Sequence, residues 1–161
     1  MFHRRILVTS LLLFSSLPLL GNIADAIEHF SPRQYYSGWN RHPTANYHFR
    51  RYYYKPTPQF SGFKHHFVVF HPARPRHVYF YNPYKRQYWG RCELNLNGRA
   101  EYSMLQPEHR KGTLQEIPES AFPPPSPVPP IPESVDNVPL DLPPDDLPSL
   151  DAPHATAPPA E

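Results

Sequence analysis

Cysteine is almost absent from this sequence: Cys92 stands alone among 161 residues. A single thiol closes no internal disulfide, so no covalent framework holds the fold. Glycine is scarce as well, at six residues, and no Gly-rich phosphate loop can be drawn from them. The metalloprotease helix HExxH and the nucleophile elbow GxSxG are missing, which leaves those hydrolytic chemistries without an anchor. Lysine and arginine stop at Lys111. The apolar run at 6–20 has no later counterpart, and nothing after it approaches the ~20 residues a bilayer span needs.

What the N-terminus does contain is an export signal. MFHRR is a short positive stretch, 6–20 (ILVTSLLLFSSLPLL) is apolar, and Ala24-Asp25-Ala26 supplies the small-x-small pattern of a cleavage site. Residues 1–26 are therefore predicted to be a cleavable signal peptide and the mature chain secreted or periplasmic. Arg4-Arg5 lacks the flanking context of a twin-arginine signal, and no cysteine near the cleavage point marks a lipoprotein. In an oxidising compartment, Cys92 is either a buried small apolar residue or the link of a disulfide-bonded dimer.

The near-neutral total charge hides two opposed halves. Residues 27–117 hold 14 Lys/Arg against 5 Asp/Glu, whereas 118–161 hold 8 Asp/Glu and no Lys/Arg. The second stretch also holds 15 prolines in 44 residues. Proline removes backbone donors and fixes φ, so a disordered, extended acidic tail is expected there, acting as a spacer or lying across the basic head. Residues 27–61 mix Tyr35-Tyr36, Trp39 and Tyr52-Tyr53-Tyr54 with Arg33, Arg41, Arg50, Arg51 and Lys55. Four prolines interrupt them, predicting an irregular aromatic and basic arm with a short strand around 47–54.

Residues 62–117 carry the β signal. Phe67–Val68–Val69–Phe70 and Val78–Tyr79–Phe80–Tyr81 are β-branched or aromatic runs separated by Pro72-Ala73-Arg74-Pro75-Arg76. A five-residue loop sets His71 across from His77, Val69 from Tyr79 and Val68 from Phe80. Side chains alternate, so Val68, Phe70, Val78 and Phe80 share a face that reads as core. Phe67, Val69, His71, His77, Tyr79 and Tyr81 share the other, which the arm or a partner would cover. A two-residue turn at Asn82-Pro83-Tyr84-Lys85 sets Tyr88 beside Tyr79, with Gly90 as a bulge that resets alternation. For the last hairpin, a three-residue loop Leu96-Asn97-Gly98 pairs Cys92 with Tyr102 and Glu93 with Glu101. It keeps the apolar residues on one face, which a two-residue Asn-Gly turn does not. The expectation is a mainly β, small antiparallel meander of about four strands, near 66–71, 77–82, 85–94 and 99–105.

Few constellations carry chemistry. Glu93 and Glu101 could serve as paired carboxylates, but Arg91 and Arg99 as neighbours make an exposed charge quartet the simpler reading. Cys92 sits in no recognisable nucleophile motif. Histidine is the better lead: His71 facing His77 could hold Zn²⁺, Cu²⁺ or Ni²⁺ with a third ligand. Cleavage after Ala26 would also leave Ile27-Glu28-His29, whose amine, amides and His29 form a square-planar chelate. Basic residues interleaved with aromatics suit nucleic acid in a cytosolic protein, which export argues against. The same chemistry suits an anionic envelope polymer, a glycan or another envelope protein. Arg74, Arg76, Lys85 and Arg86 would meet the charge, and Tyr79, Tyr81 and Tyr88 would offer flat faces.

The stretches Tyr52-Tyr53-Tyr54-Lys55-Pro56 and Tyr79-Phe80-Tyr81-Asn82-Pro83-Tyr84-Lys85-Arg86-Gln87-Tyr88-Trp89-Gly90-Arg91, with Ile117-Pro118-Glu119 leading into the proline tail, resemble uncharacterised exported Tyr/Pro-rich proteins of planctomycete-type bacteria. That resemblance implies no activity, cofactor or catalytic residue. The sequence thus predicts an exported, non-enzymatic binding or structural module needing no cofactor. A periplasmic metal-binding protein built on His71, His77 and His29 is the alternative.

Overall fold

The computed structural model describes residues 32–94 and 101–149. The readings for residues 1–26, His29, Arg99 and the Leu96-Asn97-Gly98 turn lie outside them. Seven antiparallel strands form one sheet: β1 (Gln34–Tyr36), β2 (Asn40–Arg41), β3 (His48–Tyr54), β4 (Lys64–Phe70), β5 (His77–Asn82), β6 (Gln87–Glu93) and β7 (Glu101–Met104). Their order is β1-β3-β4-β5-β6-β7, and β2 also pairs with β3. The four expected strands are β4 to β7. The sheet is larger because the segment read as an irregular arm supplies three more, the short strand expected around 47–54 being β3. Its prolines, at 32, 43, 56 and 58, all fall outside strands, so they bound β1 to β3 rather than break them. Tyr36 pairs with Tyr52 and Asn40 with Phe49, placing β1 and β2 end to end on one edge of β3. Between them Ser37 bridges the gap, its N–H donating to Arg51 O and its Oγ accepting from Arg51 N, both at 2.9 Å.

Most of the expected register is present. Val68 pairs with Phe80, Val69 with Tyr79, Cys92 with Tyr102 and Glu93 with Glu101. One pairing is displaced: Tyr88 lies opposite Tyr81, not Tyr79. The β5–β6 connection is four residues rather than two, because the Asn82 side chain takes over part of the turn. Its Oδ1 accepts from Tyr84 N at 2.9 Å and Lys85 N at 3.0 Å, and Arg86 closes the loop at φ 51°. The shift is two residues, so Tyr88 keeps its face. A bulge follows between the Tyr81–Tyr88 and Phe80–Gly90 pairs. It puts Trp89 and Cys92, three apart in sequence, into the same core.

Gly90 is held to its type by close approach. A Cβ there would meet Ser103 O at 3.0 Å and Met104 Sδ at 3.1 Å. The backbone atom cannot step aside without moving β7. Gly90→Ala is expected to cost about 1–3 kcal/mol, seen as a lower melting temperature. An unchanged melt would mean that β7 gives way freely.

Both sheet faces are buried, and the C-terminal chain covers them. One core unites Tyr52, Tyr54, Val68, Phe80, Trp89 and Tyr102 with Ile131 and Leu140. The other unites Phe49, Val69, Tyr79, Tyr81 and Tyr88 with Leu105, Leu114, Ile117 and Phe122. Residues 118–149 are therefore not the disordered tail expected of their composition. Short 3-10 turns at Leu114–Glu116 and Glu119–Ala121 lead out of the second core. The chain then runs along β7, where Ser126 N donates to Tyr102 O at 2.7 Å. An irregular hairpin follows, closed by Ile131 N to Val138 O at 2.9 Å and Leu140 N to Pro129 O at 2.8 Å. Proline removes donors but not acceptors, and the sheet's side chains use the carbonyls. Gln34 Nε2 donates to Pro139 O at 2.9 Å, Tyr36 OH to Asp141 O at 2.7 Å and Trp39 Nε1 to Asp146 O at 2.9 Å.

Candidate functional site

The aromatic surface expected from Tyr79, Tyr81 and Tyr88 does not exist. They are 1%, 1% and 2% exposed, because the chain's own Leu114, Ile117 and Phe122 cover that face. Arg74 and Arg76 are also separated from Lys85 and Arg86. The two pairs occupy loops at opposite ends of the six-residue β5, about 20 Å apart at ~3.4 Å per residue. Arg76 faces Glu93 at 3.7 Å.

Among the described residues His71 and His77 gather no third ligand, and His29 lies outside them. His71 packs on Tyr47 and Tyr79, with ring centroids 5.3 and 6.0 Å away, and His77 on Tyr79 at 6.2 Å. Burial lowers both imidazoles, His71 to about 4. They are thus neutral at pH 7, as ligands must be. Among the described residues, however, no three His, Cys, Asp or Glu side chains gather to hold an ion.

Cys92 resolves to the first of its two readings. It is 2% exposed, and burial pushes its thiol up to about 12, so the folded chain offers no thiolate to a second copy. Of the expected charge quartet, Glu93 and Glu101 do pair across β6 and β7 and Arg99 lies outside the described residues, but Arg91 does not join them. Arg91 turns instead to Glu119, beneath Phe122, whose ring centroid lies 4.2 Å from its guanidinium carbon. That pairing holds the Glu119 carboxyl below its usual range.

A different arrangement stands at the 83–86 end of the sheet. A cleft of about 270 Å³ opens between β6 and the proline hairpin. Its floor is Trp89, His66 and Met104, its far wall Pro129, Pro130 and Ile131, and Lys85 and Arg110 line its basic side. Two segments meet there: Tyr88 N donates to Lys111 O at 2.8 Å, and Gly112 lies against Arg86 O. Lys85 and Arg110 thus line the cleft with Arg86 and Lys111 beside them in sequence, and among the described residues none of the four has an ion pair. The opposite lip carries Glu133, bound to Lys64 at 2.5 Å.

No family model, curated protein or solved structure matches the chain. Function therefore has to be argued from this geometry.

Of the predicted residues, Lys85 lines the cleft and Arg86 follows it in the chain without lining it. His66, Trp89, Arg110, Lys111 and the hairpin wall were not foreseen. A signal was available in Arg110-Lys111-Gly112, the last cations in the chain. Only the β6–β7 register and the hydrogen bond from Tyr88 bring them beside Lys85. His66 is neutral well below pH 7: burial first, then His65, Lys64 and Lys85, lowers it to about 3.

Proposed function

We propose that this chain is an exported, non-enzymatic binding module whose basic end engages an anionic polymer or glycan of the bacterial envelope or exterior. One observation carries the reading. Four cations are neutralised by the acidic C-terminal segment: Arg33 by Asp136, Arg50 by Asp146, Lys64 by Glu133 and Arg91 by Glu119. Among the described residues the four at the cleft end have no ion pair, as Arg41, Arg51, Lys55 and Arg74 elsewhere have none, but only at this end do such cations border a cleft with buried polar residues. Exposed like charges in one place cost stability unless a counter-charge meets them, and a polyanion supplies it with salt-dependent affinity. An export signal at residues 1–26, as expected from the sequence, would carry the chain to where such polymers are.

Retention of the mature chain on immobilised polygalacturonate tests this. Strong retention at low salt is expected, lost between about 0.1 and 0.5 M NaCl as the Debye length shrinks to a few ångströms. The charge reversals Lys85→Glu and Lys111→Glu together should abolish it. Retention unaffected by those reversals, or by salt, refutes the reading. No observation favours the metal alternative, since His71 and His77 find no third ligand among the described residues.

A further inference from the structure

Residues lining the cleft carry buried polar atoms that no other described residue satisfies. His66 and Trp89 are 3% and 7% exposed, yet among the described residues His66 Nδ1 and Trp89 Nε1 have no hydrogen-bond partner, and neither does the buried Ser134 Oγ. All three residues line this one cleft. A buried polar group left unpaired costs about 1–3 kcal/mol, so three around a single cleft call for an explanation beyond packing. The opposite ring nitrogen, His66 Nε2, lies 3.3 Å from Tyr54 OH. Arg110 donates through Nε to Leu105 O at 3.0 Å, which fixes its side chain and leaves its terminal nitrogens available.

These groups define a ligand. Lys85 and Arg110 call for one negative charge. Trp89 Nε1–H only donates, the Ser134 hydroxyl does both, and His66 Nδ1 donates or accepts according to tautomer. Hydroxyl groups, which both donate and accept, match all three. Met104, Pro129 and the Trp89 ring add apolar wall for C–H groups. The volume of about 270 Å³ equals roughly nine waters at ~30 Å³ each, room for a single six-membered sugar ring with its substituents. Inorganic phosphate would satisfy the cations but leave the deeper polar atoms unmet.

We infer that the cleft binds one sugar-acid unit, its carboxylate against Lys85 and Arg110 and its hydroxyls on Trp89, His66 and Ser134. The inference rests on the polyanion reading above and names the unit recognised. Sodium glucuronate titrated into the isotopically labelled mature chain is the test, followed at the Trp89 indole N–H signal. Glucose and inorganic phosphate are the comparison arms, and Trp89→Phe assigns the signal. Saturable shifts with Kd of about 1–10 mM are expected. Glucose and phosphate should each bind at least tenfold more weakly, and Arg110→Ala should weaken glucuronate about tenfold, a loss of ~1.4 kcal/mol. No shift at Trp89, or phosphate binding as tightly as glucuronate, overturns the inference. If polygalacturonate is still retained in that case, the polyanion reading stands and only the sugar-acid cleft falls.

Discussion

Ending the chain at Ile117 should unfold the sheet. Such a truncation removes Phe122, Ile131 and Leu140, which are 7%, 1% and 2% exposed. At about 1.5–3 kcal/mol for each large apolar side chain withdrawn from water, the loss is roughly 5–9 kcal/mol before the uncovered Tyr52, Phe80 and Tyr102 are considered. Ordering the segment costs conformational entropy that offsets part of this, but prolines have little freedom to lose. The total stability of a domain is about 5–15 kcal/mol. Near-ultraviolet circular dichroism of the truncated chain should therefore lack the aromatic signature and the cooperative melt of the full chain. Leu140→Ala in the intact protein should itself cost about 2–5 kcal/mol. A truncated chain melting within a few degrees of the intact one would show that residues 118–149 are ornament.

The same comparison decides between charge and burial as the force holding the segment. Arg33–Asp136 and Lys64–Glu133 are partly exposed pairs at 2.5 Å, screened by solvent and therefore weak holds on the segment. Arg50 differs, since its side chain is 3% exposed and lies over Trp39 at 4.4 Å, with Asp146 at 2.9 and 2.7 Å. A buried cation needs that carboxylate, although Asp146 itself is half in water. Salt should consequently loosen the segment little, because the apolar residues dominate.

Strand content was legible where side-chain alternation is strict. Val68, Phe70, Val78 and Phe80 share a face because a one-residue slip would have turned them outward, and the same logic found the pairing of Cys92 with Tyr102. Turn lengths were less legible. Two or four residues after Asn82 keep the same faces, and only the side-chain bonds of Asn82 choose between them. The largest errors came from proline. Composition alone suggested disorder for 118–149, whereas the decisive signal was the spacing of Phe122, Ile131 and Leu140 among the prolines. The cleft was the least legible feature, for it needs the hairpin wall, the bulge at Trp89 and the distant Arg110 all in place.

Acid should destabilise this fold well above the range where carboxylates titrate. His66 is lowered to about 3 and His71 to about 4, both chiefly by burial, and His48, His65 and His77 are lowered as well. A folded-state value below the unfolded one, ~6.5, means that the unfolded chain binds protons first as pH falls. Stability is then fully present above about pH 6.5 and is lost as pH drops toward the folded values. His65, Lys64 and Lys85 oppose protonation of His66, and Glu133 stands on the opposite lip of the cleft. For His66, 3% exposed, the slope approaches about 1.4 kcal/mol per pH unit below its unfolded value, or roughly 2 kcal/mol between pH 6.5 and 4.5. The more open His71 adds less, after discount for solvent screening. Glu119, lowered by Arg91, acts in the same direction only below its ordinary range, and Asp141, raised by burial, acts slightly against it. Urea unfolding followed by tryptophan fluorescence should show a loss of about 3–4 kcal/mol over those two units. His66→Gln should remove most of that slope at a cost of about 1–2 kcal/mol at pH 7. A flat profile from pH 7 to 5, or an undiminished slope in His66→Gln, would show that His66 gains a proton without cost and that its burial is not what the sheet depends on.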